Sequence, residues 1–404
     1  MTGTLVVMPG VLPSGAPVPT DGSLPPAALA AAGSSGFGVY AHVPFCASRC
    51  GYCDFNTYTP SEGVTQTGYV NQVLAELKLA SRVLRGPRPV SAVFVGGGTP
   101  TLLPPSELGR LLEKIDATWG FTSDVEITTE ANPETVDPVM LKELRSAGFN
   151  RISLGMQSAA PHVLAVLDRK HSPGRAVQAA QEARAAGFDH VNLDLIYGTP
   201  GERPEDFAAS LQAVLDAGVD HVSAYALIIE DGTRLAARMR RGELPYPDDD
   251  VAADRYLAAS STLESAGLHW YEVSNWARPG GECKHNLLYW RGGDWWGLGP
   301  GAHSHVGGVR WWNVKHPNTY AARAADKVSP GVGRELLTKE ERRIEDIMLR
   351  LRLAEGLPLD LLDGAGLAAA HRAVEDGLLT LAEDRAVLTL RGRLLADAVI
   401  RDLT

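Results

Sequence analysis

From residue 38 to residue 229 the chain alternates between two hydrophobic rhythms. Short apolar, β-branched runs appear at 38 to 45 (GVYAHVPF), 92 to 98 (AVFVGGG), 125 to 133 (VEITTEANP), 151 to 157 (RISLGMQ), 190 to 198 (HVNLDLIYG) and 221 to 229 (HVSAYALII). Between them lie segments with helical spacing. In 69 to 84, Val70, Val73, Leu74 and Leu77 recur on one face, and 204 to 218 begins near Pro204 and stops at Gly218. Strands separated by helices pair in parallel through right-handed crossovers, which leaves an open doubly wound sheet or a full or partial β/α barrel.

The rhythm fades near residue 276. Seven of the eight tryptophans fall between Trp270 and Trp312, in a Gly-rich stretch that reads as loops. The last part, roughly 338 to 404, reads as helices around a hairpin (LLTLAEDRAVLTL, 378 to 390), a pattern suited to a small winged-helix-like unit. Residues 1 to 36 are rich in Pro, Gly, Ala and Ser, show no period, and are expected to be a flexible tail. The expected division is therefore tail 1–36, barrel core 37–275 and C-terminal unit 276–404.

Composition narrows the function. Of 404 residues 45% are hydrophobic, enough for a sizeable core, and the net charge of -10 with no long Lys/Arg run argues against a nucleic-acid partner. No apolar run reaches the eighteen or so residues of a membrane span. The first 36 residues carry no Lys or Arg, so a secretory start is not expected and a cytoplasmic location is.

Cys46, Cys50 and Cys53 form a CxxxCxxC cluster directly after the first strand, with Cys283 far away in sequence. Thiols packed this closely suit a metal site in a reducing compartment better than a disulfide framework. In a parallel α/β fold they would stand outside the carboxyl ends of the strands. Three thiolates hold three irons of a cubane and leave the fourth open; the alternative is a zinc site completed by His42 or a distant residue. Phe45, Tyr52 and Phe55 would shield such a cluster from water. The Gly96–Pro100 turn (GGGTP) follows the second strand and lets backbone approach a ligand closely. Glu130, Gln157, Arg169 and Asp194 lie at or beyond strand ends and offer carboxylates, an amide and a guanidinium.

With these residues in place, the motif resembles that of the radical S-adenosylmethionine (SAM) superfamily. The resemblance implies a partial (β/α)6 TIM-like barrel with a smaller C-terminal α+β, winged-helix-like domain. It also implies a [4Fe-4S] cluster on Cys46, Cys50 and Cys53 whose open iron is chelated by the methionyl end of SAM. Position by position, the chain is similar to the coproporphyrinogen-dehydrogenase-like branch, whose SAM contacts fall here on Tyr40, Gly97, Gly98, Thr99, Glu130, Gln157, Arg169, Asp194 and Ala226. The decarboxylating members carry a further cysteine where this chain has Phe55, and an ordered N-terminal arm where it has a Pro/Gly-rich stretch.

CKHNLLYW (283 to 290) looks like the HNxxYW signature of the branch's heme chaperones. It implies heme held by His285, Asn286, Tyr289 and Trp290, an imidazole on the iron with aromatic faces against the porphyrin. Cys283 is the alternative ligand, and His303, His305 and His316 are rivals nearby. The partners implied are heme-accepting apoproteins, an electron donor for the cluster and, through these, contact with the membrane periphery. The competing expectation is an oxygen-independent coproporphyrinogen III oxidase.

Overall fold

The computed structural model describes residues 15–32, 36–170 and 172–404. Its strands are β1 (Phe37–Val43), β2 (Val90–Gly97), β3 (Phe121–Ala131), β4 (Arg151–Gln157), β5 (His190–Tyr197), β6 (His221–Ala226), β7 (His269–Glu272), β8 (Asn275–Ala277), β9 (Asp294–Leu298), β10 (His303–Val306), β11 (Val309–Asn313) and β12 (Gly331–Leu336). They make one twelve-stranded sheet in the order β12-β11-β10-β9-β1-β2-β3-β4-β5-β6-β8-β7. From β1 to β6 every pairing is parallel, as the alternation of strands and helices requires.

The choice between flat sheet and barrel is settled by side chains. Thr128 and Glu130 of β3, Arg151 and Ser153 of β4, Asn192 and Asp194 of β5, and His221 and Ser223 of β6 all line one cavity. Residues two apart share a face of a strand, so one face of four adjacent strands must curl around a common interior. The intervening residues, Ile152, Leu154, Val191, Leu193, Val222 and Ala224, are buried on the opposite, helix-covered face. A barrel filled only for stability would carry branched apolar residues inside. Here the ladder across the strands is polar: Glu130 pairs with Ser153, Ser153 with Asn192 and Asn192 with His221.

The Trp-rich stretch, expected to be loops, continues the sheet. β9 joins β1 in parallel on the side away from β2, and β10, β11 and β12 follow antiparallel. Trp296 and Trp311 lie edge to face at 4.8 Å within the main core. The strands there are four to six residues long, too short to show a period. Residues 15–32, expected to belong to a flexible tail, are ordered. Ala16 exchanges two backbone hydrogen bonds with Arg334, at 2.9 and 2.8 Å, capping the exposed edge of β12. A helix at Pro26–Ala31 then buries Ala28.

The expected boundary at 276 does not hold, because β9–β12 belong to the barrel's sheet; the C-terminal unit begins after β12 and has its own apolar cluster, including Ile347, Leu351, Leu357, Ala370, Leu388 and Val399. A three-stranded sheet of β13 (Leu357–Pro358), β15 (Arg385–Leu388) and β14 (Leu379–Ala382) packs with helices 339–350, 364–375 and 396–403, matching the winged-helix-like expectation. No helix among the described residues is long and apolar enough to cross a membrane.

Candidate functional site

The cysteine loop leaves the end of β1 and is pinned on several sides by backbone. Phe45 bridges to Tyr58, and the Cys46 N–H donates to the Tyr58 carbonyl at 3.0 Å, closing the loop on itself. The Thr99 N–H donates to the Phe45 carbonyl and the Gly98 N–H to Val43, each at 2.7 Å, which fastens the glycine turn to the loop's base. Gly51 donates to Leu167 at 3.0 Å and accepts from Leu235 at 2.8 Å. Asn56 donates to the carbonyls of Pro300 and Lys315, tying the loop to the GLGPGAH segment. That segment is thus a brace for the cysteine loop, a role not visible from its composition.

Cys46, Cys50 and Cys53 face a cavity of about 160 Å³ together with Gly97, Gly98 and Thr99. Glu130, Gln157, Arg169 and Asp194 line the same cavity, so the thiols and most of the expected SAM contacts share one space. Arg169 donates to Cys50 Sγ at 3.2 Å and to the Gly155 carbonyl at 3.2 Å. The Thr99 hydroxyl lies 3.9 Å from Cys46 Sγ. Burial pushes the Cys46 thiol up and the Cys53 thiol up to about 11, with the neighbouring sulfurs adding to the rise. Three sulfurs that repel one another when ionised call for a cation to balance them.

The group they suit is a cubane rather than a single ion. Among the described residues no three His, Cys, Asp or Glu side chains converge on a single-ion position. His42, the candidate fourth zinc ligand, has both ring nitrogens engaged, with the Tyr40 hydroxyl at 3.0 Å and the Asn56 carbonyl at 2.9 Å. A cubane would be held by Cys46, Cys50 and Cys53, one iron to each, and would accept a wider sulfur triangle than a single ion does.

Glu130, Asp168 and Asp194 bring carboxylates to the cavity, and the first and last of them are the expected SAM contacts. The Gly97 N–H donates to Glu130 Oε2 at 2.8 Å. Asp194 is oriented by Ser153 at 3.0 Å and by Asn192 at 2.7 Å, two positioning residues that sequence reading missed and that their inward i, i+2 placement could have revealed. Burial raises both carboxyls, Glu130 to about 7. Glu130 is therefore neutral below that pH and charged above it, and a cationic ligand prefers the charged form. SAM affinity should rise as pH passes through about 7, and Glu130→Gln should flatten that dependence in equilibrium dialysis.

At Gly98 a side chain cannot be accommodated, since an added Cβ would collide with the Phe45 carbonyl. Gly98→Ala should displace the turn and weaken SAM binding by about tenfold or more, read by the same dialysis. Tyr40 is tucked between His42, Phe94 and His285 and lines neither this cavity nor its neighbour.

A second cavity of about 390 Å³ continues into the barrel, sharing Tyr52, Cys53, Phe55, Glu130, Gln157 and Asp194 with the first. Ala226, Cys283 and Asn286 reach it. At its floor the Glu126 carboxylate accepts from the Lys284 and His285 N–H groups, each at 3.1 Å, from Cys283 Sγ at 3.3 Å and from Arg151 at 3.4 Å.

The HNxxYW residues form one helix, Lys284–Trp290, packed against β1 and β2. His285 is only 2% exposed and neither ring nitrogen has a hydrogen bond. Burial holds its imidazole down to about 3. Phe94 stacks on it at 5.0 Å and Tyr289 lies at 4.5 Å on its way to Trp295, so an iron reaches this imidazole only if that packing opens. Trp290 turns toward Glu272, and only Asn286 of the four faces the barrel cavity. The rival imidazoles are engaged elsewhere: His303 stacks on Trp312, His305 bonds the Gly293 carbonyl, and His316 caps the helix Pro317–Ala325.

An open parallel barrel with a CxxxCxxC loop and a glycine turn at the carboxyl rim defines a radical SAM protein. The radical SAM superfamily profile matches residues 40–214, and that of the HemN C-terminal domain matches residues 337–395. The heme chaperone HemW of Mycobacterium tuberculosis is 57% identical over 91% of this chain and 94% of its own length. HemW of Bacillus subtilis is 34% identical over 89% and 97%. Among solved structures, coproporphyrinogen III oxidase (HemN) from Escherichia coli superposes with a TM-score of 0.79 at 25% identity, covering 93% of this chain and 92% of that one. The chain belongs to the HemW family.

Proposed function

We propose that this protein is a heme chaperone that holds a [4Fe-4S] cluster and SAM and passes heme to acceptor apoproteins. The observation that carries the reading is the single cavity in which Cys46, Cys50 and Cys53 meet the glycine turn, Glu130, Arg169 and Asp194, in a chain 57% identical to a protein named heme chaperone. The three cysteines ligate the cluster. When bound, cluster and SAM supply reductive cleavage of the sulfonium.

The chain's own residues bind and orient. Gly97, Gly98 and Thr99 present backbone to the methionyl end, and Glu130 and Asp194 accept from its ammonium and from the ribose hydroxyls. Arg169 holds positive charge beside Cys50, and Gln157 and Ala226 complete the walls. Tyr52 and Phe55 line both the cluster cavity and the barrel interior, but Phe55 is 61% exposed and does not provide the shield expected of it. An electron donor reduces the cluster, and acceptors at the membrane periphery take the heme.

The similarity to coproporphyrinogen III oxidase favours one competing reading, oxidative decarboxylation of a porphyrinogen. Phe55 stands where that enzyme type carries another cysteine. Anaerobically reconstituted protein should take up hemin with a new Soret band and leave coproporphyrinogen III unchanged. Conversion to protoporphyrinogen IX would overturn the chaperone reading.

A further inference from the structure

A cavity of about 540 Å³ lies between the β6 side of the barrel and the C-terminal unit. It is not part of the cluster site, yet it touches it: Tyr225, Ala226 and Ile228 line both this cleft and the barrel cavity. We infer that this cleft is where the tetrapyrrole sits, its carboxylates facing Arg352 and Arg393. The inference rests on the heme-chaperone reading and adds the location that reading lacks.

The cleft offers what a flat, amphipathic dianion needs. Its volume is within the range of cofactor sites. The walls are aromatic and aliphatic, with Trp270, Tyr256, Tyr225 and Ile228 from the barrel and Leu388 and Leu394 from the C-terminal unit. Val273, Tyr225, Ile228 and Leu394 leave apolar surface exposed there, a pattern that marks a binding surface. The two guanidiniums provide donors for carboxylates. Arg393 lies over the Trp270 ring at 3.7 Å, and its Nε has no hydrogen bond; Glu264 stands 3.5 Å from its Nη1. Arg352 is paired with Asp397, and Asp249 adds a negative charge at the rim. Tyr256, 7% exposed, lines the cleft with its hydroxyl turned to the Arg393 guanidinium.

His285, by contrast, is walled in by Phe94 and Tyr289. Placing heme in the cleft also puts it one strand end away from SAM, with Ala226 as the shared wall.

Hemin titration of anaerobically reconstituted protein tests this. Ala253→Trp, which fills the cleft from the helix Asp249–Ser265, should weaken hemin binding about tenfold or more while iron and sulfide content stay at the wild-type level. His285→Ala should bind hemin as the wild type does. Wild-type protein should prefer hemin over its dimethyl ester, and Arg352→Gln with Arg393→Gln should erase that preference even if Ala253→Trp fails to fold. Wild-type hemin binding by the cleft variants, or its loss in His285→Ala with the cluster intact, overturns the cleft and leaves the chaperone reading standing. If the wild type takes up no hemin, the chaperone reading falls and the cleft with it.

Discussion

Cys50→Ser should leave the protein folded and without a stable cluster. The serine oxygen is a hard, poorly ionised donor where iron requires a soft thiolate, and two remaining sulfurs cannot retain a cubane. Arg169, which now donates to Cys50 Sγ at 3.2 Å, would face an uncharged hydroxyl. Iron and sulfide after anaerobic reconstitution should fall to roughly a tenth of wild type or less. The matched control is Cys283→Ser. That thiol is buried against Glu126 at 3.3 Å, away from the cysteine loop, and its loss should leave the cluster untouched. A Cys50→Ser protein with full iron and sulfide would remove the basis of the site.

The second large effect is on stability. Arg151 and Glu126 are 2% and 5% exposed, and their charges meet at 3.4 Å on the floor of the barrel. Arg151 also donates to the Gly281 carbonyl at 2.9 Å. Removing one member of a buried pair strands the other, so Arg151→Met should destabilise the protein by about 3–5 kcal/mol. Adding Glu126→Gln should recover part of that loss. The amide carries no charge, and its single oxygen can accept from only one of the Lys284 and His285 N–H groups, which now bond separate oxygens of Glu126, so the recovery is incomplete. Urea unfolding monitored by tryptophan fluorescence gives both values, and a loss below about 1 kcal/mol for Arg151→Met would show that water reaches the pair.

Much of the scaffold could be read from the chain because its six parallel strands carry both signals that sequence displays, β-branched composition and helical segments between them. The cysteine spacing and the Gly96–Pro100 turn likewise marked residues that the fold brings to one cavity. What escaped was built from long-range pairing. β9 joins β1 although about 250 positions separate them in sequence, and nothing local in DWWGL announces a partner. Gly297 illustrates the difficulty: it reads as loop punctuation, yet it is small because a Cβ would strike the His303 carbonyl of β10. Ala16 met Arg334 for a similar reason, an exposed sheet edge inviting whatever extended chain lies nearby. The HNxxYW residues were legible as a signature. Their burial was not, since facing direction depends on β1 and β2 lying beneath the helix.

The loop bearing the three sulfurs is anchored through Thr99, Gly51 and Asn56 to three separate parts of the fold, none of which involves iron. A metallo-domain that folds around its ion collapses when stripped; the anchors of this loop are hydrogen bonds to the fold, and they call on no iron. Oxidative loss of the cluster is then expected to discharge this protein rather than denature it, and fresh iron and sulfide should refill the same polypeptide.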